Sequence, residues 1–123
     1  MKNVLWSSRH DLGASQSSAV RKILGDELSY DYKTVTWANS DSEEDDNAEN
    51  AYIWVELAAQ YDAVVGIFPP TALVGLWLAR DEADDGNPDF EAVRRLKILT
   101  PIARVYYTFD KVKKFDFLRM QEI

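Results

Sequence analysis

Short apolar runs alternate with segments of helical periodicity along most of the chain. The run at 3–6 ends in small polar residues, which predicts a buried strand that leads into a loop. Residues 32–38 are mainly β-branched and aromatic, and they predict a second strand. The segment 62–68 is apolar at nearly every position, a pattern typical of a central parallel strand covered on both faces.

Two helices are predicted between these strands. Apolar positions recur at helical spacing after the serines of 15–18, and Gly25 predicts a left-handed cap that ends this first helix. The acidic block 41–46 contains capping-box spacings, so it predicts the first turn of a second helix, which runs to about Gln60. Alanines spaced along one side of this helix predict close packing against a sheet, and Trp54 falls outside that stripe.

Two further helices and two strands complete the predicted pattern. Thr71 is expected to cap an almost wholly apolar helix that runs to about residue 83. Asn87 and Pro88 have the residue types that begin a helix, here up to about residue 96. Thr100 and Pro101 indicate a break, and strands are expected afterwards at 103–109 and 115–120.

This alternation predicts an α/β protein: a single three-layer, Rossmann-like domain over residues 1–123, with a mostly parallel sheet of about five strands. The order of elements from residue 3 to about 109 resembles that of small Rossmann-like domains, either flavodoxin-like or of the CRISPR-associated nucleotide-sensing type. The resemblance is at the level of the fold.

Composition narrows the classes of function. The absence of cysteine excludes disulfides, thiol nucleophiles and cysteine metal sites, and it favours a reducing, cytoplasmic setting. The formal net charge of −7 disfavours nucleic acid and anionic membranes as partners. The apolar stretch 63–79 is interrupted by two prolines and is too short to span a bilayer, and residues 1–6 are too short for a signal peptide.

The candidate site lies where three predicted strands end, because ligands of parallel sheets bind at the carboxyl ends of the strands. Arg9 suits a phosphate or carboxylate, the helix beginning near Ser15 offers its amides to an anion, and His10 titrates near neutral pH. A solvated turn is the alternative interpretation of this first loop. The predicted ligand-binding residues are Ser7, Ser8, Arg9, His10, Asn39 and Thr71.

No cofactor or metal is predicted. The first loop lacks the glycine pattern of dinucleotide-binding proteins, and the chain has no Walker motif. The acidic block does not match the calcium-binding loop of an EF-hand, and one histidine without cysteine disfavours zinc. FMN stays an alternative because the serines of the first loop and of 15–18 loosely match the composition of a flavodoxin loop. Ser7 and Ser8 are too near His10 in sequence to suggest a catalytic triad.

Self-association is predicted from surplus apolar surface and from uneven charge. The apolar helix at 72–83, together with Trp54, indicates a second buried surface and therefore a homodimer. Residues 1–60 hold 5 basic and 11 acidic side chains (net −6), whereas 91–123 hold 8 basic and 4 acidic (net +4). The basic and aromatic residues of 106–114 are better explained as protection of a sheet edge than as a nucleic-acid site.

These features predict a homodimeric module that binds a small anionic ligand, either a nucleotide or another phosphate-bearing molecule, at the carboxyl edge of the sheet. Two alternatives stay open. One is an enzyme that acts on a nucleotide or a phosphorylated substrate, in which Arg9 stabilises charge and His10 transfers a proton. The other is a protein-interaction scaffold without a ligand.

Overall fold

Strands and helices alternate through the computed structural model, which describes residues 1–8 and 12–123 and has an α/β fold. The elements of the described chain are, in order, β1 (Lys2–Ser7), α1 (Ala14–Leu24), β2 (Leu28–Tyr32), α2 (Glu43–Gln60), β3 (Ala63–Gly66), α3 (Pro70–Ala83), α4 (Pro88–Arg95), β4 (Lys97–Tyr107) and β5 (Lys113–Glu122).

The strands form one open sheet in the order β2-β1-β3-β4-β5. The first four strands are parallel, and β5 runs antiparallel to β4. All four residues of β3 are buried, as predicted for a central strand. The prediction of a mostly parallel sheet of about five strands is therefore confirmed.

The core has two clusters on opposite faces of the sheet, since successive side chains of a strand point to opposite sides. Leu5, Val64 and Ile98 belong to the cluster that α2, α3 and α4 cover. Val4 and Val65 belong to the other cluster, which α1 covers. The edge of the sheet between β1 and β3 is thus flanked by helices on both sides.

Helix boundaries follow the predicted capping chemistry at three positions. The Ser42 hydroxyl accepts a hydrogen bond from the Asp45 amide (3.4 Å), so the acidic block begins α2 as expected. The Asn87 side chain accepts from the Asp89 amide (3.1 Å) at the start of α4. Gly25 follows α1 with φ +100°, a conformation that favours glycine.

Three local predictions are wrong. The second strand ends at Tyr32, and 33–42 is irregular because its backbone hydrogen-bonds to Asp46 and Asn50 of α2, while Trp37 packs against the core. Thr71 does not cap α3, which begins at Pro70, a residue whose fixed φ suits the first helical position. Pro101 does not break β4. The register of β4 with β3 ends at Leu99, and a strand with a free edge tolerates proline.

The buried face of α2 also differs from the predicted alanine stripe. Trp54 is completely buried, whereas Ala48 and Ala59 are exposed. The helix instead buries a stripe that includes two polar side chains, Asp46 and Asn50. Trp54 is therefore a core residue, and the suggestion that it contributes to a dimer surface is wrong.

Candidate functional site

The carboxyl ends of β1 and β3 lie side by side, as the sequence required if the predicted site residues were to converge. Ser7 pairs with Gly66 in the register of the two strands. A Cβ atom on Gly66 would lie 2.8 Å from the carbonyl oxygen of Ser7, so only glycine permits this approach. The chain leaves β1 towards β2 on one side and reaches β3 on the other. This reversal is the position at which open α/β sheets bind ligands.

The loop 33–42 crosses the end of β1. The amide of Lys33 donates to the Trp6 carbonyl (3.3 Å), and the amide of Val35 donates to the Ser7 hydroxyl (3.3 Å). The Ser7 side chain, one of the predicted ligand-binding groups, therefore also holds this loop in place. The loop brings residues that follow β2 over to the β3 side of the edge.

The ring of Trp37, a residue of this loop, contacts the rings of Trp54 and Phe68, and we call these three residues the aromatic cluster. The ring centroids of Trp37 and Trp54 are 4.7 Å apart, and Phe68 lies 5.3 Å from Trp54 and 6.1 Å from Trp37. The indole N–H of Trp54 donates to the Ala72 carbonyl (2.6 Å), which ties α2 to the first turn of α3. The aromatic cluster closes the side of the strand ends that faces α2 and α3.

Two buried polar side chains of α2 fix the last part of the loop. Both carboxylate oxygens of Asp46 accept from the Ser40 amide at 2.7 Å. Asn50 accepts from the Ala38 amide (2.8 Å) and donates to the Ala38 carbonyl (3.4 Å). Asn39, another predicted site residue, is exposed between these two anchored positions. Asp46 thus has a structural role, and among the described residues no cluster of side chains suits a metal ion.

The amino end of α1 opens on the other side of the sheet edge. Gly13 occupies the N-cap position and has no side chain with which to accept from the first-turn amides. These amides lack acceptors within the helix, so they carry the partial positive charge of the helix terminus. Val20 and Leu24 pack the helix against the sheet face opposite the aromatic cluster. The sequence predicted that this helix begins near Ser15, and in the structure it begins at Ala14.

The amino end of α3 is less suited to an anion. Pro69 and Pro70 have no N–H group, and the amide of Ala72 donates to the Pro69 carbonyl (3.0 Å). Thr71 lies in this first turn and is half-buried. It is the predicted site residue that α3 contributes.

The predicted site residues are therefore spread over three segments. Ser7 is the last residue of β1 and Ser8 follows it, and Thr71 lies in the first turn of α3, the helix after the neighbouring strand β3. Asn39 lies on the crossing loop. Arg9 and His10 lie outside the residues that the structure describes.

A second polar region lies towards the amino ends of β1 and β2. A cavity of about 220 Å³ is lined there by residues that include Asn3, Ser29 and Gln60. The Tyr61 hydroxyl donates to Asp31 (2.9 Å) across it. Burial is the larger cause, and this hydrogen bond the smaller, of a pKa of Tyr61 that is raised above its ordinary value. In parallel sheets the ligand site is at the opposite ends of the strands, so this cavity is a structural feature.

No helix within 1–8 and 12–123 combines the length and the apolar character needed to cross a bilayer. Comparison of the chain with protein-family models, with curated proteins and with solved structures finds no match, so the functional argument depends on the geometry of the site itself.

Proposed function

We propose that this chain is a three-layer, Rossmann-like domain that binds a small anionic ligand, a nucleotide or another phosphate-bearing molecule, and acts as a homodimer. One observation carries the proposal. The amino end of α1, with glycine at its N-cap, lies beside the point at which the strand order reverses between β1 and β3.

The groups at the carboxyl ends of β1 and β3 suit an anion that binds on the side of α1. The aromatic cluster fills the α2 and α3 side, so a ligand approaches from the side of α1. The first-turn amides of α1 donate to phosphate oxygens, and the hydroxyls of Ser8 and Thr71 are further donors at this edge. Arg9 supplies a guanidinium in the same loop of the sequence, and this group binds phosphate through two parallel hydrogen bonds.

Two substitutions at one position test this arrangement. A Cβ atom on Gly13 meets nothing within 4 Å, so a larger side chain fits there. Gly13→Asp places a carboxylate over the first-turn amides, and Gly13→Asn places a neutral side chain of the same shape there. We expect both variants to fold. We also expect Asp to weaken anion binding well beyond any effect of Asn, because only Asp adds a negative charge.

The measurement is thermal unfolding with inorganic phosphate, nucleotides, cyclic dinucleotides and FMN. A ligand at a hundred times its dissociation constant stabilises the fold by about 2.7 kcal/mol, which is several degrees for a chain of this length. A shift in the wild type that falls much further in Gly13→Asp than in Gly13→Asn supports the proposal, since both side chains accept from the first-turn amides and only Asp adds charge. Equal shifts in all three proteins, or none with any anion, contradict it, and the second result favours an interaction scaffold.

A further inference from the structure

The outer surface of α3 is apolar over its middle turns. Val74, Trp77 and Leu78 are spaced so that they share one side of the helix, and all three are exposed, Trp77 to 74%. We call these three residues the α3 stripe. The stripe continues into acidic residues in the next turns, Asp81 and Glu82. A large aromatic side chain exposed among other apolar residues indicates a surface that a partner covers.

A second exposed apolar surface lies on the hairpin formed by β4 and β5. Beyond Leu99 the register of β4 is with β5, and the two strands extend as a ribbon. Val105 pairs with Phe115, and Tyr107 is two residues further along the same face. Phe115 is 64% exposed and Tyr107 67%. We call these three residues the ribbon face.

The ribbon face continues an internal surface of the protein. Val105 and Phe115 are followed on the same side by Phe117, which packs against the core cluster that α1 covers. The opposite side of the ribbon carries an ion pair between Arg104 and Asp116 (3.0 Å). The ribbon is thus amphipathic, and its apolar side extends beyond the cover that α1 provides.

The two surfaces carry opposite charges beside their apolar parts. Lys111 lies at the tip of the ribbon, and Lys113 lies on the side of the ribbon face, with its ammonium group 5.3 Å from the centre of the Phe115 ring. Lys114 lies on the opposite side, beside Asp116. The α3 stripe is followed by Asp81 and Glu82. Within one chain the surfaces lie on opposite faces of the sheet, because α3 packs on one core cluster and the base of the ribbon on the other. They are therefore available to a second copy.

We propose that the ribbon face of one chain docks on the α3 stripe of a second copy, with Lys113, which lies on the same side of the ribbon as Phe115, and Lys111 at the tip against Asp81 and Glu82. Each copy offers one ribbon and one stripe, so a two-fold axis pairs them twice and closes the assembly as a dimer. Burial of the aromatic side chains supplies the affinity, and the charges select the orientation. This inference rests on the self-association in the proposed function and replaces the surface that the sequence had assigned to Trp54.

Charge reversal tests the pairing directly. In the ribbon variant, Lys111→Glu at the tip and Lys113→Glu on the ribbon face are combined, and in the stripe variant Asp81→Lys and Glu82→Lys are combined. Each variant alone opposes like charges at both contacts, and we expect its dimer dissociation constant to rise about tenfold or more. An equimolar mixture of the two should restore the dimer, because every contact in the mixed dimer is again complementary. The chain with all four substitutions should also dimerise, at the net charge of the wild type.

The measurement is sedimentation equilibrium, in which the wild type is expected at twice the 14.1 kDa of one chain. Trp77→Ser should weaken the dimer, and Ile23→Ser on α1 is the matched control, since both side chains are exposed and neither is needed for the core. A wild-type monomer at 200 µM (about the upper range of ordinary association assays) overturns both this inference and the proposed homodimer.

Other outcomes separate the inference from the proposed function. A dimer that survives both charge-reversal variants and Trp77→Ser overturns the docking surface and leaves the homodimer in place. A monomer that binds single-stranded oligothymidine through Lys113 and Lys114 assigns the ribbon to nucleic acid and also overturns it. Phosphate-induced thermal shifts in each variant report on the ligand site independently of the oligomeric state.

Discussion

Gly66 is the residue on which the geometry of the proposed site most depends. Its missing side chain allows β3 to approach the Ser7 carbonyl, and this brings the ends of β1 and β3 together. The sequence showed Gly66 only as a small residue inside an apolar strand. The sequence could not show that Gly66 pairs with Ser7, because pairing between strands is a tertiary contact that depends on the strand order.

Gly66→Ala should destabilise the protein by about 1 to 3 kcal/mol, because its Cβ would meet the Ser7 carbonyl oxygen at 2.8 Å and the backbone must shift. Urea unfolding measures this change. Gly13→Ser is the control, since Cβ at that position meets nothing within 4 Å and serine is a good N-cap. Equal stability of Gly66→Ala and the wild type would show that the strand ends are not so close.

Tyr61 gives a pH dependence of known sign. Burial and the hydrogen bond to Asp31 raise the pKa of Tyr61, so the folded state holds the phenol proton more tightly than the unfolded state does. The stabilisation is complete below the ordinary pKa of about 10 and is lost as the pH rises through the raised value. Tyr61→Phe should therefore lose stability less steeply than the wild type between about pH 9 and 11.

Urea unfolding over that pH range tests the effect of Tyr61. Tyr52→Phe, at an exposed position of α2 outside both proposed contact surfaces, controls for the loss of one phenol. The same slope in Tyr61→Phe and the wild type would contradict the assignment of this titration to the Tyr61–Asp31 pair.

At the scale of elements, the sequence predicted the helix starts that are determined by contacts between residues close together in the chain. Ser42 and Asn87 begin helices because their side chains accept from amides two or three residues away, a relation visible in the sequence. The loop 33–42 was assigned to a strand because β-branched and aromatic residues favour strands. Its conformation is determined instead by Asp46 and Asn50, which bind its backbone from α2.

Asn50→Ala should release this loop and destabilise the fold by about 1 to 3 kcal/mol, because the Ala38 amide loses its buried acceptor. Hydrogen exchange should accelerate most at Ala38 and Ser40. Glu49→Ala, at the exposed neighbouring position of α2, should leave both stability and exchange close to those of the wild type. Uniform acceleration of exchange over the whole chain in Asn50→Ala would show that the loop has no separate anchor.

At the scale of the molecule, the alternation of elements predicted the α/β fold and the mostly parallel sheet. It also placed the candidate ligand site at the carboxyl ends of the strands, where β1 and β3 do meet. The sequence predicted only part of the exposed apolar surface correctly. The helix at 72–83 does expose Val74, Trp77 and Leu78, but Trp54 is buried, because the face that a helix buries depends on its neighbours as well as on its own periodicity.

Titration of the protein with inorganic phosphate, followed by the NMR shifts of backbone amides, tests the central claim most directly. Sodium chloride at equal ionic strength is the control. The amino end of α1 is predicted to bind the anion, so the largest saturable shifts should fall on Ala14, Ser15 and Gln16, with smaller ones at Ser8 and Thr71. Saturable shifts confined to the lysines of the ribbon, or shifts that chloride reproduces, would contradict an anion site at the edge between β1 and β3.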